Sequence, residues 1–386
     1  MAGARFYFDW ANYRTMLRLL REESNREQRR KRHGAFVIGV PIVAAIHAIC
    51  FTLDPILFPS LRRTQVKAPV FSVGHARSGT TYLHRMMAKD PQFSYVLMYE
   101  MFFPSLLEKR VLRALFHLDQ VFGGCVRRKL DAIEQRAFAE TNDMHKTGFF
   151  VPEEDDFLLT WSLGSGFWII MFPYMGELDF YHVDRWGERK RRRVMTFYKE
   201  CVRRQLALNG GGIHLSKNPT FCGRVKSLID TFPDARFVVP LRNPYETIPS
   251  LLKMLQTEWT LRGRDDDLIR YSLRVLADQS FDAYQHPLEV LAKHPDTRAC
   301  VVDYRDLVSQ SSITMRRIYD ELGLELSQTV ADAIDSAAGQ AHESTHRYCL
   351  EEFGLDPDEI HTQLADLFER FHWADFDAEG EDARVN

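Results

Sequence analysis

From Pro69 to Lys89 the chain passes from a short β-branched and aromatic run, Pro69-Val-Phe-Ser-Val-Gly74, through Gly74-His-Ala-Arg-Ser-Gly79-Thr-Thr81 into a helical pattern. Leu83, Met86 and Met87 fall on one side of that pattern, so a buried strand feeds a helix through a glycine-bounded loop. Glycines let the backbone turn tightly, successive N–H groups converge, and the helix start adds partial positive charge, which together suit phosphate oxygens. Ser78, Thr80 and Thr81 add hydroxyl donors. Gly74 and Gly79 have the spacing of the nucleotide-triphosphatase loop, but Thr80 stands where that motif requires lysine. Arg77 instead puts a planar cation inside the loop, able to fork onto phosphate or sulfate oxygens without a metal. The bland alternative, a Gly/Ser turn capped by threonines, leaves the agreement of strand, cation and helix to coincidence.

Further strands are expected at Ile213–Ser216, Arg236–Leu241 and Arg298–Val302, separated by helical patterns such as Cys222–Thr231 and Tyr245–Thr257. Strands alternating with helices predict an α/β fold, a parallel sheet flanked by helices on both faces. Residues 1–65 read as an N-terminal helical extension and 66–376 as the main domain. Within that domain a mostly helical, aromatic-rich insertion at 100–210 is expected to cap the strand ends, where ligands bind in open α/β sheets. Residues 377–386 form an acidic tail.

With 45% apolar and 27% charged residues the 386-residue chain has the balance of a folded protein, and a formal net charge of −3 gives no basic field for nucleic acid. Any anion site has to be built locally. The six cysteines are scattered without a CxxC pair, which predicts reduced thiols in a cytoplasmic compartment; no Asn-x-Ser/Thr acceptor occurs either. Ala35–Leu53 is an uncharged run of 19 residues preceded by Arg29, Arg30, Lys31, Arg32 and His33, and interrupted by Pro41 and His47. Three readings stay open: a bilayer span, an interfacial helix making peripheral membrane contact through residues 35–58, and a buried helix. A span with its basic end inside would carry the rest of the chain away from the cytosolic nucleotide pool.

A second anion site is suggested after the strand Arg236–Leu241. Arg242 opens a loop, Asn243-Pro244 turn it, and Ser250 lies eight residues beyond Arg242, two turns into the next helix. Alone, this pattern is weak, because an arginine capping a loop near a helical serine is common.

Val73-Gly-His-Ala-Arg-Ser-Gly-Thr-Thr-Tyr-Leu-His-Arg85 resembles the 5′-phosphosulfate loop of sulfotransferases that use 3′-phosphoadenosine 5′-phosphosulfate, or PAPS. Arg236-Phe-Val-Val-Pro-Leu-Arg-Asn-Pro244 with Ser250 resembles their 3′-phosphate motif, and Pro152–Phe157 and His346–Gly354 resemble the bacterial-type branch. The resemblance covers residues 66–372. It implies a P-loop-like fold, PAPS as co-substrate with no metal, and a hydroxyl or amine acceptor. The donor contacts it implies are Arg77, Ser78, Gly79, Thr80, Thr81, Arg242, Ser250 and Arg347.

Sulfuryl transfer requires in-line attack, charge neutralisation and a base for the acceptor proton. Arg77 and Lys217, the latter in Ser216-Lys-Asn-Pro219 after a strand, are the expected cations. The resemblance implies as base either a histidine shortly after that lysine, where this chain has Phe221, or a glutamate downstream of the loop, matched by Glu100. A carboxylate of raised pKa can take a hydroxyl proton, and His145, Glu153 and Glu154 compete for the role. His342 and His346 stand at helical spacing, and no Cys/His/Asp cluster has metal-ligand spacing. Trp161, Phe167, Trp168, Phe172, Tyr174, Phe180 and Tyr181 line either an apolar acceptor pocket or plain core. The expected activity is sulfation of a small-molecule, lipid or glycan acceptor. The alternatives are a nucleotide kinase, which would need lysine at position 80, and a catalytically silent nucleotide-binding adaptor.

Overall fold

The computed structural model describes residues 5–22, 26–137, 148–338 and 350–373. Its strands are β1 (Val70–Ser72), β2 (Phe93–Ser94), β3 (Val96–Leu97), β4 (Pro152–Glu153), β5 (Ile213–Lys217), β6 (Arg236–Leu241) and β7 (Ala299–Asp303). Five of them form an all-parallel sheet in the order β2-β5-β1-β6-β7, while β3 and β4 pair antiparallel. In the register Phe71 lies opposite Ser216 and Phe237, and Val238 opposite Cys300. Both faces of the sheet are covered, as uninterrupted apolar strands require. Val70, Leu215, Val238 and Val302 enter one buried cluster, and Phe71, Phe237, Val239 and Leu241 enter another.

The helices are α1 (Trp10–Glu22), α2 (Arg26–Leu57), α3 (Thr80–Met87), α4 (Leu106–Val121), α5 (Cys125–Ala137), α6 (Trp168–Met171) and α7 (Glu188–Asn209) in the first half. Then come α8 (Val225–Thr231), α9 (Pro244–Leu261), α10 (Asp266–Ala292), α11 (Tyr304–Ser309), α12 (Ser311–Leu322), α13 (Gln328–Ala338), α14 (Pro357–Gln363) and α15 (Ala365–Phe371). α3, α11, α12 and α13 supply one cluster through Leu83, Met86, Leu307, Met315, Ile318 and Ile334. α7, α8, α9 and α10 supply the other. β6 coincides with its expected span, and β1, β5 and β7 differ by a residue or two at their ends. β2 spans only two residues, too short to carry a periodicity of its own. The insertion is helical at α4, α5 and α7, but much of residues 148–187 is irregular chain with short 3₁₀ turns.

The N-terminal residues are built into this core. The Asp9 N–H donates to the Ser162 carbonyl at 2.9 Å, and Asn12 Nδ2 donates to the Leu163 carbonyl at 2.8 Å. Tyr13, Met16, Leu19 and Leu20 of α1 pack with Phe36 and Val40 of α2 and with Trp168 and Phe172. Along α2 every third or fourth residue is buried: Phe36, Val40, Ala44, His47, Phe51 and Asp54. Asp54 accepts from Ser105 Oγ at 2.9 Å and from the amides of Leu106 and Leu107 at 3.0 and 2.8 Å, and pairs with Arg204 at 2.6 Å. His47 Nδ1 lies 2.6 Å from Glu108. By length and composition α2 is also the one helix among the described residues apolar enough to cross a membrane. The cysteines among the described residues form no disulfide.

Candidate active site

The loop between β1 and α3 requires its glycines. A Cβ on Gly74 would lie 2.4 Å from the Pro240 carbonyl oxygen of β6, and one on Gly79 would lie 2.6 Å from Tyr304, with φ at +80° besides. Arg77 is also left-handed, at φ +72°, a conformation costly for a residue with a Cβ and retained mostly where geometry serves function. That turn carries the guanidinium across to α9, where Arg77 Nε donates to Ser250 Oγ at 3.1 Å. Two motifs 173 residues apart thereby meet. No side chain caps α3, so its first-turn N–H groups are left for a ligand or water. Ser78 and Thr80 are buried in the loop. His75 stacks on Tyr284 with ring centroids 5.1 Å apart, and burial pushes its pKa down to about 4, so it is neutral at physiological pH.

Arg242 follows β6, its Nε 2.8 Å from Glu246 and its guanidinium 4.4 Å over the Tyr304 ring. Asn243 caps α9 by accepting from the Tyr245 amide at 3.0 Å, which sets Ser250 on the second turn, facing the loop. Tyr284 donates from its hydroxyl to the Arg242 carbonyl at 2.7 Å. Tyr304 and Tyr284, both touching the β1–α3 loop and Arg242, escaped the sequence reading. Tyr304 had a usable signal as the first residue beyond the carboxyl end of β7, whereas Tyr284 lies inside α10 with no local mark.

Lys217 ends β5 with its side chain 3% exposed, donating to Thr81 Oγ1 at 3.3 Å and to Glu154 at 2.5 Å. The acidic run at 153–156 thus separates into different tasks. Burial raises the pKa of Glu154 despite the Lys217 ammonium beside it. Asp155 underpins β5, taking hydrogen bonds from Tyr198 at 2.5 Å, Ser216 at 2.8 Å and Asn218 at 2.5 Å, with His214 Nε2 at 2.8 Å. Burial alone would raise its pKa, but the contacts from His214, Tyr198 and Asn218 hold it below the usual value. Asp156 pairs with fully buried Arg224 at 3.1 Å and ties down the turn at Ser165 and Gly166. Glu153 lies in β4.

Glu100 is placed differently from what its proposed role as a base of raised pKa requires. Its fully buried carboxylate takes Arg113 at 2.8 and 2.6 Å, Gln205 Nε2 at 2.8 Å and the Tyr99 hydroxyl at 3.0 Å. Burial pushes its pKa up, but Lys109, Arg113 and Gln205 together bring it below the ordinary value. The reason is simple: charged neighbours on α4 and a donor on α7, distant in sequence, converge on it. Phe221 is core, packed edge-on against Tyr198 at 5.3 Å. His145, His342, His346 and Arg347 lie outside the described residues, as does the acidic tail.

The aromatic run also divides. Trp168, Phe172, Phe180 and Tyr181 are buried core. Phe157, one turn beyond Glu154, is half-buried, stacks face to face on half-buried Phe167 at 4.3 Å and meets Phe102 edge-on at 5.5 Å. Half-buried Trp161 and Phe103 continue from there to His47 of α2, at 5.8 and 6.1 Å.

Comparison with known proteins agrees with this architecture. The profile of the sulfotransferase family matches residues 69–328. An omega-hydroxy-beta-dihydromenaquinone-9 sulfotransferase, Stf3, from Mycobacterium bovis and from Mycobacterium tuberculosis, is 27% identical over 283 residues, 69% of this chain and 68% of the relative. In fold, the chain is similar to sulfotransferase STF9 of Mycobacterium avium, with a TM-score of 0.68 at 18% identity over 98% of this chain and 95% of the other. It is equally similar to STF1 of Mycobacterium tuberculosis, with a TM-score of 0.68 at 20% identity over 94% of each chain.

Proposed function

This chain belongs to the sulfotransferase family and is an enzyme of sulfuryl transfer, and from that premise we propose a donor, a set of roles and an acceptor class. The donor is PAPS. The phosphosulfate end lies in the loop at residues 74–81, against the α3 amides, Ser78, Thr80 and Thr81; the 3′-phosphate lies between Arg242 and Ser250. The contact that carries this reading is Arg77 Nε on Ser250 Oγ, which brings both anion sites into one cleft edge at the carboxyl ends of β1 and β6. The donor set fits a doubly phosphorylated nucleotide: fixed cations, hydroxyls and uncapped amides.

When bound, PAPS supplies the sulfuryl group. Arg77 and Lys217 neutralise charge that builds on the transferring oxygens, and neither needs reorganising, because Arg77 is held by its backbone and Lys217 by burial. Glu154 takes the acceptor proton. Its contact with Lys217 supports this role, and its raised pKa makes it a stronger base than a solvated carboxylate. Glu154 replaces Glu100 in this role. Ser78, Gly79, Thr80 and Thr81 position the donor, and Arg347 assists the 3′-phosphate by family resemblance alone. The acceptor is a hydroxyl on an apolar molecule, a reading supported by the half-buried aromatics beside Glu154 and by the hydroxylated menaquinone in the name of the relative Stf3.

Isothermal titration with 3′-phosphoadenosine 5′-phosphate and with ATP tests the donor. We expect tighter binding of the bisphosphate without metal, and a loss of about 2 kcal/mol in Arg242→Ala. Preference for Mg²⁺-ATP, or an Arg242→Ala variant that binds as well as the wild type, rules this donor site out.

A further inference from the structure

α2 buries one face and leaves the other bare. Opposite Phe36, Val40, Ala44, His47, Phe51 and Asp54, the side chains of Ile38, Ile42, Ile46, Ile49, Leu53 and Ile56 stand in solvent, Ile38 63% and Ile56 67% exposed. Their spacing of three or four residues makes one continuous stripe about 30 Å long with Leu57. Thr52 is the sole exposed hydroxyl between Gly34 and Leu57, and it is spent on the Ala48 carbonyl at 2.7 Å. A face of this size that offers no hydrogen bond is not left to water without a use. α4, packed against α2, carries a second exposed row, Val111, Leu115 and Leu118, continued by Phe122 just beyond its end.

Charge decides what this face meets. Between Gln28 and Lys67 the chain has one carboxylate, Asp54, and that is buried against Arg204. The same stretch has seven cations: Arg29, Arg30, Lys31 and Arg32 at one end of the apolar segment, and Arg62, Arg63 and Lys67 at the other, these last three exposed. An aliphatic stripe bracketed by cations complements the hydrocarbon edge and headgroups of an anionic lipid surface. A span across the bilayer is incompatible with this fold, since it would strip Asp54 from Arg204 and the α4 amides, and His47 from Glu108.

We propose that the exposed face of α2 rests on an anionic membrane surface, its axis in the plane of the interface, and that the acceptor reaches Glu154 from that surface beneath α2. The half-buried aromatics Trp161, Phe103, Phe102 and Phe157 mark the route, running from His47 on the underside of α2 to the turn beyond Glu154. The route rests on the apolar acceptor proposed above; the docking itself does not.

Flotation of the full chain with phosphatidylcholine vesicles, with and without phosphatidylglycerol, tests the docking. The protein should float with the anionic vesicles, less so at high salt, and Ile42→Ser/Ile46→Ser/Ile49→Ser should weaken this by about tenfold or more. Ile313→Ser on α12, 66% exposed in the wild type, should change nothing. Bisphosphate titration of the same variants reports folding and keeps the two readings separate. Failure to float with intact nucleotide binding overturns the docking and spares the sulfotransferase site. Flotation unchanged in the triple variant also overturns it, as does a dimer that the triple variant dissociates without any lipid binding, which would assign the face to a second copy.

Discussion

At the residue scale the contact of Lys217 with Glu154 and Thr81 is the centre of the proposed chemistry, and its members are separable by experiment. Lys217→Ala should lower kcat on the order of a hundredfold to a thousandfold, the effect of removing one preorganised charge from a transfer site, while bisphosphate affinity changes far less. Equal loss in both would make Lys217 a binding residue. Glu154 must be ionised to accept a proton, so activity is present above its raised pKa and falls as pH drops through it, on an acid limb above the ordinary carboxylate range. Glu154→Gln should abolish that limb and cost about 10² to 10⁴ in rate. Glu100→Gln should keep the limb; the reverse pattern would return the role to Glu100. Neither the raised pKa of Glu154 nor the lowered one of Glu100 could be read from sequence. The first follows from burial, which outweighs the opposing Lys217 ammonium, and the second from Lys109, Arg113 and Gln205, which outweigh burial; only folding assembles either balance.

At the element scale the β1–α3 loop and α2 show two ways in which packing dictates conformation. Gly79 sits left-handed with Tyr304 against the place a Cβ would occupy. Gly79→Ala should therefore cost roughly 1 to 3 kcal/mol in denaturant unfolding and weaken bisphosphate binding in parallel. An alanine variant of wild-type stability would mean that the loop tolerates displacement. α2 runs through Pro41 and Pro55 despite the backbone bonds they forfeit, because its inner face is held by Asp54 on Arg204 and His47 on Glu108. Leaving Arg204 buried without Asp54 should cost about 3 to 5 kcal/mol, so Asp54→Ala should lower the unfolding midpoint sharply. A shift below about 1 kcal/mol would show that apolar contacts alone dock the helix.

At the scale of the whole molecule, two neutral histidines buried near the site tie global stability to pH. His84 has no hydrogen-bond partner for either ring nitrogen among the described residues, and burial, with Lys217 adding to it, lowers its pKa to about 3; His75 is lowered to about 4. Folded-state values below the unfolded value mean that the unfolded chain binds more protons as pH falls from about 6.5. Stability is then lost on acidification through that window, by up to about 1.4 kcal/mol per pH unit for each histidine. His84→Leu should flatten the slope of unfolding free energy between pH 6 and 4 by about that amount. An unchanged slope would mean that His84 is hydrated in solution.

The order of strand, loop and helix at the start of the sheet, the alternation behind it, and the Arg242–Ser250 spacing were all written locally. Strand period, glycine, helix start and an eight-residue interval are properties of neighbouring residues, and they sufficed for the α/β class and for the strand, loop and helix on which the proposed donor site is built. What tertiary structure alone decided were relations between distant residues. The sheet order set β1 between β5 and β6, so that the loop after β1 meets Lys217 of β5 through Thr81 and Ser250 of the helix after β6 through Arg77. The acidic run at 153–156 was divided by whichever donors each carboxylate met: Lys217 for Glu154, His214 and Asn218 for Asp155, Arg224 for Asp156. The apolar run at 35–53 kept three readings in the sequence because hydrophobicity records no partner; the fold gave one face to Phe51 and Asp54 and left the isoleucines of the other in solvent. Covalent neighbours determine local conformation, but charge state and exposure depend on what packs alongside, and that is settled only when the chain closes on itself.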